Sequence, residues 1–176
     1  SVSGGSILKQ RKIVHGTNGF VGEFGHIMID PRSRTRCTCG GTGCFVSLVS
    51  KNALLSEALN ASGFDSVEAD DIFSDYINGV AYASAAIGKV VRWFSILIHN
   101  LILVHDPDKI IIQGIYVQAG DPFIRALKEQ INALPFYRIK RDISIEFANR
   151  SAEDSCLIGA AHHSSIDFLQ SLDILD

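Results

Sequence analysis

The sequence predicts an α/β domain built in layers, with helices packed on a mixed sheet. Three observations carry that prediction. Short strand-like runs at the start of the chain are arranged as a hairpin. Apolar residues then recur at helical spacing over several long stretches. Two late runs, Ile110-Ile111-Ile112 and Ile143-Ser144-Ile145-Glu146-Phe147, fall between helical segments as strands of an alternating fold do. At 176 residues the chain is long enough for one ordinary domain with a core. Its 47% hydrophobic and 20% charged content, with a net charge of −3, describes a folded, soluble type of chain and excludes nucleic-acid binding driven by charge alone.

The elements follow in order. The strand-like run Ser1-Val2-Ser3-Gly4-Gly5-Ser6-Ile7-Leu8-Lys9 and Ile13-Val14 form the hairpin arms, with Gln10-Arg11-Lys12 as the turn. The missing initiator Met and the immediate strand pattern read as a chain cut from something longer. A glycine-spaced connection over 16–22 leads to a short strand at 27–29 that ends at Asp30-Pro31. Val46, Val49, Ala53, Leu54 and Leu55 predict a helix over 45–60, stopped by Ala61-Ser62-Gly63. Asp65 or Ser66 caps a shorter acidic helix through Ser74.

Over 76–105 the polar positions Ser84, Gly88, Arg92, Ser95 and His99 fall three or four apart, which predicts one long helix buried around most of its girth. Asp106-Pro107-Asp108 ends it, and residues 110–114 read as a parallel strand buried on both faces. Asp121 and Pro122 supply an N-cap and a first-turn proline for an amphipathic helix through Leu134. Residues 143–147 alternate as a half-buried strand, Ser151 caps a last helix, and Gly159-Ala160-Ala161 give that helix a face small enough for close approach. Cys156 reads as a small buried hydrophobe, and residues 171–176 as a frayed tail.

The chemistry concentrates in one stretch. His26, Cys37, Cys39 and Cys44 place four soft or borderline ligands within nineteen residues, three of them in the loop Cys37-Thr38-Cys39-Gly40-Gly41-Thr42-Gly43-Cys44. That set predicts a tetrahedral Zn²⁺ site, structural because no position is left open for a catalytic water. The alternative is free thiols or a disulfide. Cysteines one residue apart rarely pair, and Cys39 with Cys44 would close only a tight ring, so a disulfide explains the cluster poorly. No secretory leader pattern is present, and the longest apolar run is broken by Ser95, His99 and Asn100. The expectation is a cytoplasmic protein with no membrane partner. His15, His99, His105, His162 and His163 carry no ligand reading.

Taken together, Gly22-Glu23-Phe24-Gly25-His26, the Cys37-Thr38-Cys39-Gly40 and Gly43-Cys44 pieces, Asp106-Pro107-Asp108-Lys109-Ile110-Ile111-Ile112-Gln113-Gly114 and Leu157-Ile158-Gly159-Ala160-Ala161 resemble the second half of a ROK protein, the family of bacterial repressors, open reading frames and sugar kinases. The resemblance covers nearly the whole chain. It implies that residues 1–176 are the C-terminal lobe of the two-lobed actin-like ATPase (ribonuclease H-like) fold with an inserted zinc loop. It further implies that Glu23 and His26 contact a sugar in the cleft between lobes. A carboxylate accepts from sugar hydroxyls, and an imidazole with one nitrogen on zinc offers the other N–H.

Departures from the family pattern set the finer expectation. Sugar-phosphorylating members carry a second Glu two residues after the last zinc cysteine, and here that position is Val46. The phosphate-cradling glycines correspond to Ser1-Val2-Ser3-Gly4-Gly5 and Gln113-Gly114, so Gly4, Gly5 and Gly114 remain as nucleotide candidates in a weakened cradle, with tight turns as the plainer use of those glycines. The family's catalytic aspartate corresponds to no residue of this chain. The resemblance is closest to xylose-repressor-type transcriptional regulators, and residues 106–120 read more like the repressor branch. It implies a sugar effector, a homodimer or higher homo-oligomer, DNA contact only through an N-terminal winged helix-turn-helix outside this chain, and no enzymatic activity. Two other readings stand beside it: the C-terminal half of an ATP-dependent hexose or N-acetylhexosamine kinase, and a degenerate lobe that keeps zinc and dimer contacts without a ligand.

Overall fold

A computed structural model describes residues 4–134 and 143–171, with backbone alone at 152, 163 and 166–171. The hairpin forms, with Lys12 in its second strand rather than in the turn. Strand β1 (Leu8–Lys9) pairs antiparallel with β2 (Lys12–Ile13), Leu8 opposite Ile13 and Lys9 opposite Lys12. Its turn is the two residues Gln10 and Arg11, both at positive φ (53° and 65°), which matches the strand twist but without the glycine or asparagine that relieves the strain.

The strand expected at 27–29 is reduced to one antiparallel bridge, Met28 to Cys44, flanked by Ile29 N–H to the Gly43 carbonyl at 2.9 Å and Phe45 N–H to the Ile27 carbonyl at 2.9 Å. Its partner is the end of the same loop, and Pro31 has no N–H with which to extend the ladder. The helix expected over 45–60 is two helices, α1 (Phe45–Leu48) and α2 (Lys51–Ser62). Ser50 breaks it: its backbone is extended and its Oγ accepts from Ala53 N–H at 3.1 Å, the local bond that makes serine a better cap than helix interior. Gly63 ends α2 as expected.

Helix α3 runs Ala69–Ile77, shifted toward the C-terminus from the predicted 65–74, with Asp70 and Asp71 in its first turn where the helix dipole favours carboxylates. The Asn78-Gly79 turn separates it from α4 (Ala81–His105), which is therefore five residues shorter at its start than the apolar pattern suggests. Asp106 closes α4 with its N–H on the Ile102 carbonyl at 2.9 Å.

Strand β3 (Lys109–Ile112) pairs in parallel with β4 (Ser144–Phe147), Ile110 beside Ile145 and Ile112 beside Phe147. The expectation of burial on both faces fails at Ile111, which is 59% exposed, while Ile112 and Ile145 are buried. A 3₁₀ turn (Ile115–Ala119) leads into α5 (Gly120–Ala133), so Asp121 lies inside the first turn rather than capping it, while Pro122 is a first-turn proline as expected. Proline is tolerated there because first-turn N–H groups have no intrahelical acceptor. Among the described residues the two sheets, one antiparallel and one parallel, are separate, so the single mixed sheet is not formed.

Helix α6 (Ala152–Ser171) begins as predicted, with Ser151 Oγ accepting from Asp154 N–H at 3.0 Å. Its packing differs from expectation. Cys156, Leu157 and Ile158 are exposed, and nothing lies within 4 Å of where a side chain at Gly159 would point. Polar bonds from Gln113, rather than an apolar face, hold its start. The predicted tail beyond Ser171 lies outside the described residues.

The core is built around α4, which packs against α2, α3 and α5. Leu54, Ile72, Ile87, Phe123 and Leu127 are fully buried, each stabilising by about 1.5–3 kcal/mol. Phe94, Tyr116 and Phe123 form an aromatic cluster, Tyr116 stacked on Phe123 at 5.7 Å. Among the described residues α4 is the one helix long and apolar enough to cross a membrane; it buries one face against α2, α3 and α5 and leaves Leu103 and Val104 exposed, so the expected burial around most of its girth is not met.

Candidate metal centre

Each of the four metal candidates is set by a short local structure. His26 closes a 3₁₀ turn (Phe24–His26). Cys44 is the N-cap residue of α1. Between them the loop folds on itself: Arg36 bridges Thr42, Cys37 N–H bonds the Gly41 carbonyl at 2.9 Å, and Gly40 N–H bonds the Cys37 carbonyl at 3.0 Å. Gly43 has φ +70°, and a Cβ there would collide with the Asp30 carbonyl oxygen, so only glycine lets the chain enter Cys44 this way.

The result is a convergent donor set. The ligating atoms of His26, Cys37, Cys39 and Cys44 all lie within 4.8 Å of one another. His26 Nδ1 is 3.4 Å from Cys37 Sγ, and Cys39 Sγ is 3.7 Å from Cys44 Sγ. A tetrahedral ion with metal–sulfur bonds of about 2.3 Å and a metal–nitrogen bond of about 2.05 Å requires edges of about 3.8 Å and about 3.5 Å. These two edges match those values and the remaining ones stay within 4.8 Å, so the residues could hold a zinc-sized ion.

The thiols differ in electrostatic setting. Cys37 is held down to about 6, first by the Cys39 backbone N–H that donates to its sulfur, against the opposing effect of burial. Burial pushes Cys44 up to about 12, and the neighbouring Cys39 and Cys37 sulfurs add to the effect. A bound cation would have to displace the Cys44 proton, so metal binding releases protons and strengthens as pH rises. Cys37 and Cys44 are buried and Cys39 is exposed, so the cluster sits at the surface with its back against α1.

Glu23 lies beside this cluster. Because Nδ1 of His26 faces the sulfurs, Nε2 faces outward, 3.9 Å from Glu23 Oε2, with the two side chains 38% and 55% exposed. Both are thus open to a ligand. The structure also gives Gly4 and Gly5 a place: Gly5 N–H bonds the Gly22 carbonyl at 2.7 Å, a Cβ on Gly4 would lie 3.6 Å from that same oxygen, and a Cβ on Gly5 would sit 2.6 Å from the Phe24 ring. In turn a Cβ on Gly22, at φ +97°, would strike the Gly5 carbonyl. The start of the chain is therefore clasped against the Glu23–His26 turn; Ser1, Val2 and Ser3 of the proposed phosphate run lie outside the described residues.

Gly114 is elsewhere. With Gln113, Val117, Asn149, Arg150 and Ser151 it lines a cavity of about 290 Å³ beyond the carboxyl ends of β3 and β4, the usual ligand position in parallel sheets. Gly4 and Gly5 are not among its lining residues. Gln113 Nε2 donates to the Ser151 carbonyl at 3.2 Å and to Ser155 Oγ at 2.9 Å, tying α6 across the cavity wall. Sequence reasoning missed two supports of the metal loop. Tyr116 donates to the Val49 carbonyl at 2.7 Å, anchoring the break after α1, and the Phe24 ring stands 6.3 Å from that of His105. A tyrosine in an otherwise apolar run was the available signal for the first; nothing in the sequence marks the second.

The ROK family profile matches residues 3–164. This chain belongs to the ROK family. Among curated relatives, the glucokinase of Halalkalibacterium halodurans is 30% identical over 149 residues, 77% of this chain and 45% of that protein. The DNA-binding transcriptional dual regulator NagC of Escherichia coli K12 is 30% identical over 161 residues, 85% of this chain and 39% of that protein. This ROK chain thus spans less than half the length of these relatives. In solved structures the same fold occurs in a ROK family glucokinase from Streptomyces griseus, with a TM-score of 0.76 at 23% identity over 85% of this chain and 53% of that one. A ROK family transcriptional regulator homologous to the E. coli MLC protein gives a TM-score of 0.69 at 24% identity over 81% of this chain and 38% of that one. Repressors and sugar kinases both occur among the relatives of this ROK chain.

Proposed function

We propose that this chain is the C-terminal, effector-binding and oligomerisation lobe of a sugar-responsive ROK transcriptional regulator. Val46 carries the reading. It is buried against Cys37 and Cys44 in one apolar cluster, at the position where sugar-phosphorylating members hold a second glutamate. A sugar at Glu23 and His26 would lack that charged acceptor. The cavity at Gly114 adds to the argument, since Gln113 fills one of two positions that kinases give to glycine and ties it to α6.

In this account Glu23 accepts hydrogen bonds from adjacent hydroxyls and His26 donates from Nε2, while a structural Zn²⁺, inserted with its loop beside the cleft, would be held by His26 Nδ1, Cys37, Cys39 and Cys44. When bound, the ion supplies a fixed positive centre that locks the tautomer and orientation of the ring. Sugar binding shifts the balance between two lobe arrangements by its difference in affinity for them, and that shift alters the spacing of paired DNA-binding heads in a cytoplasmic homodimer or higher oligomer.

The test is operator release by the intact parent protein across a panel of sugars. One sugar should release DNA, and Glu23→Gln should weaken its effect about tenfold, the difference between a charged and a neutral acceptor. No effect of any sugar on any DNA target rejects the reading. A second reading is the C-terminal half of an ATP-dependent sugar kinase, supported by the glucokinase relative. Sugar-dependent ATP consumption by the parent protein would establish it in place of the first.

A further inference from the structure

The exposed cysteine of the cluster, Cys39, stands apart from the other two. The residue is exposed while its neighbour Cys44 is buried at 4% exposure, and the two sulfurs are 3.7 Å apart. A disulfide requires about 2.05 Å, so closure needs a movement of about 1.7 Å. Gly40, Gly41 and Gly43 lie in the segment that must bend, and nothing lies within 4 Å of the Gly40 side-chain direction. Tight ring closure argues against this bond as the resting state, yet the loop already holds its two sulfurs nearly in place. Cys37 is differently engaged, with His26 Nδ1 at 3.4 Å.

We propose that the metal loop is a peroxide-sensitive thiol switch, in which oxidation joins Cys39 to Cys44, expels the metal ion and loosens the hold on His26. The inference rests on the metal reading above. The Cys39 thiolate attacks hydrogen peroxide; an S–O bond forms, the O–O bond breaks, and the departing hydroxide takes a proton to become water. The Cys44 thiolate then attacks the Cys39 sulfur; the S–S bond forms, the S–O bond breaks, and the second oxygen leaves as water with a second proton. Two electrons pass from the sulfur pair to peroxide. Only Cys37 and His26, half of a tetrahedral set, would then remain to hold an ion, too few to retain it.

The consequence reaches the ligand-facing side. The Gly43 carbonyl accepts from Ile29 N–H at 2.9 Å and Asp30 N–H at 3.3 Å, and Phe45 N–H bonds the Ile27 carbonyl at 2.9 Å. These bonds flank Cys44 on one strand of the loop and Met28, two residues after His26, on the other. Contraction between Cys39 and Cys44 pulls on them directly.

The experiment uses the intact parent protein carrying Cys156→Ser, reconstituted with zinc and exposed to hydrogen peroxide. Zinc release is followed with a chromophoric chelator, and peptide masses locate any disulfide. The expected result is release of the bound zinc in step with a Cys39–Cys44 link that lacks two hydrogens, both reversed by a dithiol reductant and added zinc. Zinc retained through peroxide exposure overturns the switch alone, as does a link formed by Cys37 or release accompanied only by irreversible sulfur acids. A protein that cannot be loaded with zinc overturns the metal reading and the switch with it.

Discussion

Gly43→Ala tests the loop geometry most sharply, because two separable costs can be read from the structure. An alanine at φ +70° is held in a sparsely populated backbone region, at a cost of about 1–3 kcal/mol. Its Cβ also meets the Asp30 carbonyl, so the strands of the loop must part and surrender at least one of the bonds from Ile29 and Asp30 N–H to the Gly43 carbonyl, about 0.5–1.5 kcal/mol more. The sum, about 1.5–4.5 kcal/mol, falls on the metal-bound loop and corresponds to a loss of zinc affinity of about tenfold to a thousandfold. Gly40→Ala is the matched control. It has φ +90° but open space around the new Cβ, so it bears the first cost and not the second. Chelator competition should rank wild type above Gly40→Ala and Gly40→Ala above Gly43→Ala, with the far-ultraviolet dichroism of the helices retained in all three. Equal affinities for the two variants, or a Gly43→Ala protein within twofold of wild type, would refute the argument.

Further outcomes follow from the same geometry. Tyr116→Phe keeps the ring stack but leaves the Val49 carbonyl without its buried donor, which should cost about 1–3 kcal/mol and lower the melting temperature by about 2–12 °C in calorimetry. Phe123→Ala, at a fully buried position, should destabilise by about 3–5 kcal/mol in denaturant titration. Burial, and then its 2.5 Å bond to Asp75, pushes Tyr82 up to about 12. Its unfolded value is lower, so its contribution to stability is complete below about pH 10 and is lost as pH rises toward 12; tyrosinate absorbance that shows every tyrosine ionising near pH 10 in the folded protein would contradict this. Chelation of the metal should raise hydrogen exchange over 26–45 while leaving α4 and α5 protected, and uniform protection across the chain would speak against a metal-tied loop.

The sequence made the helices legible where periodicity and stop signals agreed, as at Gly63, Asp106 and Ser151. It misread places where a local side-chain bond or a turn overrides periodicity: Ser50 splits an apolar helical run by capping its second half, and Asn78-Gly79 delays α4. Burial was harder to read. Ile111 and Cys156 have core-like side chains, yet one lies on the uncovered face of β3 and the other on a helix tied down by Gln113, and neither fact is written in local pattern. The convergence of His26, Cys37, Cys39 and Cys44 was legible because ligand type and spacing are chemical signals that survive without tertiary knowledge. What could not be read was its internal arrangement: which His26 nitrogen faces the sulfurs, which cysteine is exposed, and that Gly5 packs on the Glu23–His26 turn rather than lining the Gly114 cavity. Those depend on contacts between residues distant in the chain.

Zinc-edge X-ray absorption on the reconstituted protein addresses the convergence of His26, Cys37, Cys39 and Cys44 without intermediary. One zinc per chain with three sulfurs at about 2.3 Å and one nitrogen at about 2.05 Å is the predicted result. A first shell made chiefly of oxygen and nitrogen, or a protein that retains no zinc with all four residues intact, would contradict it.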